Sequence, residues 1–101
     1  MKMLIIVFRD SLDEDIRRLL KDLDVKAFTE TPRVVGTGEA GSAFDSLEWP
    51  GSNSMIFAAM DEQQAEQVVK GLKAFHDRLK QQQHGAKIPM RVFVLPCEWA
   101  V

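Results

Sequence analysis

Apolar residues fall in blocks along the chain, and the spacing within each block predicts an element. Residues 3 to 8, Met-Leu-Ile-Ile-Val-Phe, form an unbroken apolar stretch between Lys2 and the turn-forming Asp10-Ser11, the pattern of a strand that wants cover on both faces. Leu12, Ile16, Leu19, Leu20 and Leu23 then recur on one helical face, with Ser11 and Glu14 at capping-box spacing, which predicts a helix over 12–23. Its polar face pairs Glu14 with Arg18 and sets Arg17 four residues from Lys21. Between 25 and 36, Val25, Ala27, Phe28, Val34 and Val35 fit an irregular strand broken at Thr31-Pro32. Proline donates nothing to a ladder, so a bulge or a sheet edge is expected there. Residues 54 to 60, Ser-Met-Ile-Phe-Ala-Ala-Met, read as a strand that ends at Asp61, a suitable helix cap. Ala65, Val68, Val69, Leu72, Phe75 and Leu79 line one side of a helix over 62–82, with Gly85 as its stop. Residues 90 to 95, apart from Arg91, form a last strand closed by Pro96.

The order strand, helix, strand, strand, helix, strand is a split β-α-β unit. It predicts an α+β, ferredoxin-like βαββαβ domain over residues 1–101, with a four-stranded antiparallel sheet and both helices on one face. Helices on one side leave the other side bare, yet the strands at 3–8, 55–60 and 92–95 are apolar at odd and even positions alike. A contiguous apolar sheet face of a few hundred Å² does not as a rule stay in water, so copies of the chain are expected to pack these faces together in a homo-oligomer.

Composition narrows the function classes. With 101 residues there is room for one core. Thirteen Lys and Arg against fifteen Asp and Glu give a net charge of −2, without the basic excess of a nucleic-acid binder, so no nucleic-acid partner is expected. The single cysteine, Cys97, offers no intrachain disulfide, which predicts a reducing, cytoplasmic setting. The longest apolar run is too short to span a bilayer, so direct membrane insertion is not expected. The spacing contains no Ser-His-Asp arrangement, no paired carboxylates on one element and no activated-cysteine motif, and no enzyme activity is expected.

Candidate chemistry concentrates where the second strand ends. Residues 34 to 41, Val-Val-Gly-Thr-Gly-Glu-Ala-Gly, bring glycines close together, so backbone N–H groups can converge on an anion without Cβ interference. The spacing is neither a Rossmann nor a P-loop signature, and a flexible hinge fits it as well as an anion nest. Residues 37 to 53 show no sustained period and predict a long loop, a kind of segment that commonly carries function. Within it Phe44, Leu47 and Trp49 either fold back on their own subunit or form a docking surface for a partner. Glu39, Asp45 and Glu48 are oxygen donors for a hard cation, and His76, His84 and Cys97 are candidates for a softer one. His76 and His84 lie eight positions apart, more than two helical turns, so the two do not clasp an ion within a single turn. Met1, Met3, Met55, Met60 and Met90 fall mainly in or beside strands and read as core, not as a metal-binding methionine cluster.

Three segments in order carry a family resemblance: Met-Leu-Ile-Ile-Val at 3–7, Val-Val-Gly-Thr-Gly at 34–38, and Arg-Val-Phe-Val-Leu-Pro-Cys-Glu at 91–98. Through them nearly the whole chain resembles the PII signalling superfamily, and most of all its shorter PII-like branch, whose members occur beside transporters, including those for heavy metals. The resemblance implies a homotrimer of ferredoxin-like subunits that binds an adenine nucleotide (ATP, ADP or AMP) or a related anion at the subunit cleft. It implies signalling to a partner, such as a membrane transporter, through the loop at 37–53. It places Gly36, Thr37, Gly38 and Glu39 at the loop base, Lys87 and Arg91 in the basic turn before the last strand, and Phe44 and Trp49 in the partner-reading loop. Glu39-Ala40 stands where nucleotide-binding members carry Arg-Gln, and the chain has no tyrosine, which removes uridylylation of a loop tyrosine. The alternative of the same fold is a divalent heavy-metal-binding or metal-tolerance protein using the acidic loop, the histidines and Cys97.

Overall fold

The structure, a computed structural model, describes residues 1–36, 52–84 and 87–101. Its elements are β1 (Lys2–Arg9), a 3-10 turn (Asp10–Leu12), α1 (Asp13–Asp22), β2 (Thr29–Val34), β3 (Asn53–Met60), α2 (Glu62–Gln82) and β4 (Met90–Pro96). The strands form one four-stranded sheet in the order β2-β3-β1-β4, antiparallel throughout. This is the ferredoxin-like α+β arrangement that the hydrophobic pattern predicts.

Alternation along the strands decides what each face of the sheet does. On β1 the even positions Leu4, Ile6 and Phe8 are almost wholly buried, together with Ile56 and Ala58 of β3. They pack with Ile16 and Leu20 of α1 and Ala65, Val68, Leu72 and Phe75 of α2 in a single core. The helices close on each other at Gly71, where a Cβ would come within 2.6 Å of Leu23 Cδ1. Any larger residue there has to displace the Leu23 side chain just beyond α1.

The odd positions build the opposite face. Met3 lies opposite Ala59 and Leu95, Ile5 opposite Phe57 and Phe93, and Val7 opposite Met55 and Arg91. No described helix covers them, and Phe93 and Leu95 remain 50% and 43% exposed. The methionines therefore divide: Met60 and Met90 belong to the core, whereas Met3 and Met55 lie on the open face and Met1 is exposed.

Two local expectations are corrected. The Ser11–Glu14 capping box does not form: residues 10 to 12 are a 3-10 turn, and Leu12, without a side-chain cap, precedes α1. The Asp13 N–H is bonded to the Asp10 carbonyl, and Asp13, Glu14 and Asp15 supply negative charge to the first turn instead. On the outer face Arg18 reaches Asp15 at 3.4 Å, not Glu14. Asp61 does cap α2, accepting from the Gln64 N–H at 2.8 Å. Gly85, the expected stop of that helix, lies outside the described residues.

β2 is an edge strand whose register with β3 shifts between Thr31 and Val34, with Arg33 at φ 57°. Pro32 and Arg33 form the bulge expected from the proline. Arg17 ties this strand to α1: Nη2 lies 2.8 Å from Glu30 Oε1 and Nε donates to Asp13 Oδ2 at 3.1 Å, with the guanidinium over the Phe28 ring. Burial and the adjoining Asp13 carboxyl raise the Glu30 pKa above its ordinary value, and Arg17 opposes the rise.

Ile6 is fully buried between both helices and the sheet. Ile6→Ala is expected to remove about 2–5 kcal/mol of stability, read as a lowered denaturant midpoint with an unchanged slope. A loss below about 1 kcal/mol would mean that the site collapses around the smaller side chain.

Candidate ligand cleft

One end of the sheet gathers the last residues of β1 and β2 with the first residues of β3 and β4, and a cleft of about 220 Å³ opens there. Its apolar wall includes Val7 and Phe93 of the open face, and its polar rim carries Gly36, Asn53, Lys87 and Arg91. Gly36 lies two residues beyond β2 and Asn53 begins β3, so the two ends of segment 37–51 meet at this rim. A Cβ on Gly36 would stand 3.3 Å from Asn53 Nδ2, tighter than an ordinary carbon contact. A larger residue at 36 would require the Asn53 carboxamide to shift by a few tenths of an ångström.

The turn before β4 is held from beneath. Ile88 is buried, the Met90 N–H donates to the Ile88 carbonyl at 2.8 Å, and the Arg9 N–H donates to the Pro89 carbonyl at 3.0 Å. These bonds leave the side chains of Lys87 and Arg91 on the cleft. Two cations, a carboxamide and a glycine backbone beside an aromatic wall suit an anion attached to a flat apolar group.

The return side of the segment is fastened by Asp10. Its Oδ2 accepts from Ser52 Oγ and its Oδ1 from Ser54 Oγ, both at 2.6 Å, while its N–H donates to the Ser52 carbonyl at 3.1 Å. The two hydroxyls, Ser52 first, lower the carboxyl pKa below its ordinary 3.8; burial opposes them, and the charges of Arg33 and Arg9 add to the lowering.

The structure brings Gly36, Lys87 and Arg91 together. Thr37, Gly38, Glu39, Phe44 and Trp49, with Asp45, Leu47 and Glu48, lie outside the described residues. Among the described residues no three His, Cys, Asp or Glu side chains gather as a metal ion requires. His76 stands beside Asp77 at 3.7 Å, and the Cys97 N–H donates to the Met1 carbonyl. No described helix is long and apolar enough to cross a membrane. Sequence reasoning misses Asn53, Asp10 and the two serines, which carry no motif. Their only signal is the polar Ser-Asn-Ser run at 52–54 opening an otherwise apolar strand.

The family model for nitrogen regulatory protein P-II matches residues 1–101. The chain belongs to the P-II family. Among solved structures, the fold of this P-II protein is similar to CPII, a nitrogen regulatory PII-like protein from Thiomonas intermedia K12, in its form bound to ADP, AMP and bicarbonate. That match has a TM-score of 0.68 and 23% identity, over 93% of this chain and 86% of that one. The same CPII bound to ADP and bicarbonate matches with a TM-score of 0.69 and 24% identity, over 93% and 82% of the two chains. A putative PII-like signaling protein from Thermus thermophilus matches with a TM-score of 0.58 and 20% identity, over 93% and 82%. No curated protein sequence gives a significant match.

Because the folded Asp10 carboxyl titrates below its ordinary value, its stabilisation is complete above that value and is lost as the pH falls through the lowered one. Asp10→Asn is expected to have a lower denaturant midpoint than the parent at neutral pH, and the two midpoints are expected to converge at the acid end. A gap that stays constant with pH would show that the ionised carboxylate is not what holds the segment.

Proposed function

We propose that this chain is a homotrimeric PII-like signal-transduction protein that binds an adenine nucleotide, or a related anion, at the cleft and signals through segment 37–53. The observation that carries the reading is the meeting of Gly36, Lys87 and Arg91 in one cleft beside Phe93. The cations suit phosphate oxygens, and the aromatic wall suits a base. The binding of ADP, AMP and bicarbonate by the Thiomonas CPII adds support from a protein of the same fold. Thr37, Gly38 and Glu39 follow Gly36 in the chain and are the further loop-base residues assigned to the ligand in this reading, while Phe44 and Trp49 would meet the partner, a membrane transporter being the partner class that the resemblance implies. The role is regulatory, in the cytoplasm, without catalysis.

The cleft lies at the margin of the open sheet face, so a neighbouring copy packed on that face would wall it on the exposed side. Signalling then needs no more than a population shift. A ligand that touches the segment's base in only one arrangement favours that arrangement, by as much as its affinities for the two arrangements differ.

Calorimetric titration with ATP, ADP and AMP tests the site. Nucleotide is expected to bind, and Arg91→Ala to weaken binding by about 1.5–3 kcal/mol, the range for a hydrogen bond to a charged group, or roughly ten- to hundredfold in Kd. Heat with zinc, copper or nickel alone, removed by Glu39→Ala or His84→Ala, would replace this reading with the metal-binding alternative. Assembly is tested separately by analytical ultracentrifugation. The parent is expected to sediment as a trimer at micromolar concentration, and Phe57→Glu, which puts a charge at the centre of the open face, is expected to sediment as a monomer. A parent that is already monomeric would overturn the assembly.

A further inference from the structure

Asn53 is the neutral polar side chain of the cleft, and its aim is set from the other side of the strand. Along a strand, residues i and i+2 project one way and i+1 projects the other. Ser52 and Ser54 flank Asn53, and both hydroxyls donate to one carboxylate, one to each oxygen of Asp10 at 2.6 Å. Ser54 lies opposite Phe8, on the helix-covered face, whereas Asn53 lies opposite Arg9 and lines the cleft with Gly36 and Arg91. Fastening 52 and 54 to Asp10 therefore turns Asn53 toward the cleft. The other side of the same Arg9-Asp10 dipeptide fixes the opposite rim, since the Arg9 N–H holds the Pro89 carbonyl.

We propose that Asn53 is a ligand-binding residue of this cleft, donating its amide N–H to a phosphate-type oxygen, and that Asp10 is the positioning residue that aims it. The inference rests on the reading of the cleft as an anion site and deepens it. Nδ2 is the atom nearest to where a Gly36 side chain would stand, so an oxygen approaching the Gly36 backbone meets the carboxamide as well. The amide donates without adding charge, complementing Lys87 and Arg91, and as a carboxamide it also has an acceptor for a ligand hydroxyl or amino group. Both Asp10 oxygens accept from Ser52 and Ser54, and Asp10 is not among the residues that line the cleft.

The test is calorimetric titration of the full chain with ADP for the parent, Asn53→Ala, Asn53→Asp, Asp10→Asn and the Asp10→Asn/Asn53→Ala double variant, each first shown to be folded by circular dichroism. Asn53→Ala is expected to bind about tenfold more weakly, and Asn53→Asp, of the same shape with the donor replaced by a negative charge, more weakly still. Asp10→Asn is expected to lose several-fold in the parent background and nothing further in the Asn53→Ala background, a coupling that general loosening of the fold would not produce. Parent-like binding by both Asn53 variants, or an equal Asp10→Asn loss in both backgrounds, would overturn the proposal while leaving the cleft reading intact. A parent that binds no ADP would overturn the cleft reading, and this proposal with it.

Discussion

Helices on one side of a four-stranded sheet cover only that side, and in this protein both sides are apolar. Leu4, Ile6 and Phe8 satisfy the covered face completely. Among the described residues, Met3, Ile5 and Val7, on the same strand and in strict alternation with them, have only the neighbouring strands to lean on. Apolar area is worth roughly 25 cal/mol per Å² removed from water, so a face built from Ile5, Phe57, Phe93 and Leu95 stabilises whatever covers it. Uncovered, it is a liability for solubility. The central strand thus sets both the internal core and the pressure toward assembly.

The cleft follows from the same arrangement. The last residues of β1 lie between the first residues of β3 and β4, so the chain's outgoing and returning segments and the turn before β4 converge at one end of the sheet. Odd positions at that end continue the open face, which puts Arg91 and Asn53 beside the apolar wall. Even positions turn toward the helices, which puts Ser54 on the covered side. Alternation thereby separates Asn53, on the cleft, from Ser54, which binds Asp10 on the covered side.

Much of this is readable from the sequence, for identifiable reasons. The strand at 3–8, the helix at 62–82, the Asp61 cap and the break at Thr31-Pro32 each rest on a local rule that the tertiary structure does not contest. The start of α1 is misread because a 3-10 turn competes with a side-chain cap for the same backbone donors, and the sequence does not show which will win. The charged rim, Gly36 with Lys87 and Arg91, is legible only through the family resemblance, because its two parts stand far apart in the chain. Asp10, Ser52 and Ser54 are not legible at all. A carboxylate held by two hydroxyls more than forty residues away has no spacing to detect.

The bulge on β2 bears on that clamp. Arg33 sits at φ 57°, a region that disfavours side chains with a Cβ by about 1–2 kcal/mol. Proline at the preceding position prevents a regular ladder there, so a bend at this point is unavoidable and the strain falls on the next residue. Its charge lowers the Asp10 pKa. Asp10 therefore feels the outgoing strand through Arg33 electrostatically and the returning strand through two hydrogen bonds. A displacement of either end of the segment changes the environment of one carboxylate, and the bond from Arg9 to Pro89 connects the backbone next to that carboxylate to the opposite rim of the cleft. Coupling between cleft and segment thus requires no long relay. Asp10, Ser52 and Ser54 are close in sequence to residues that line the cleft, Phe8 and Asn53.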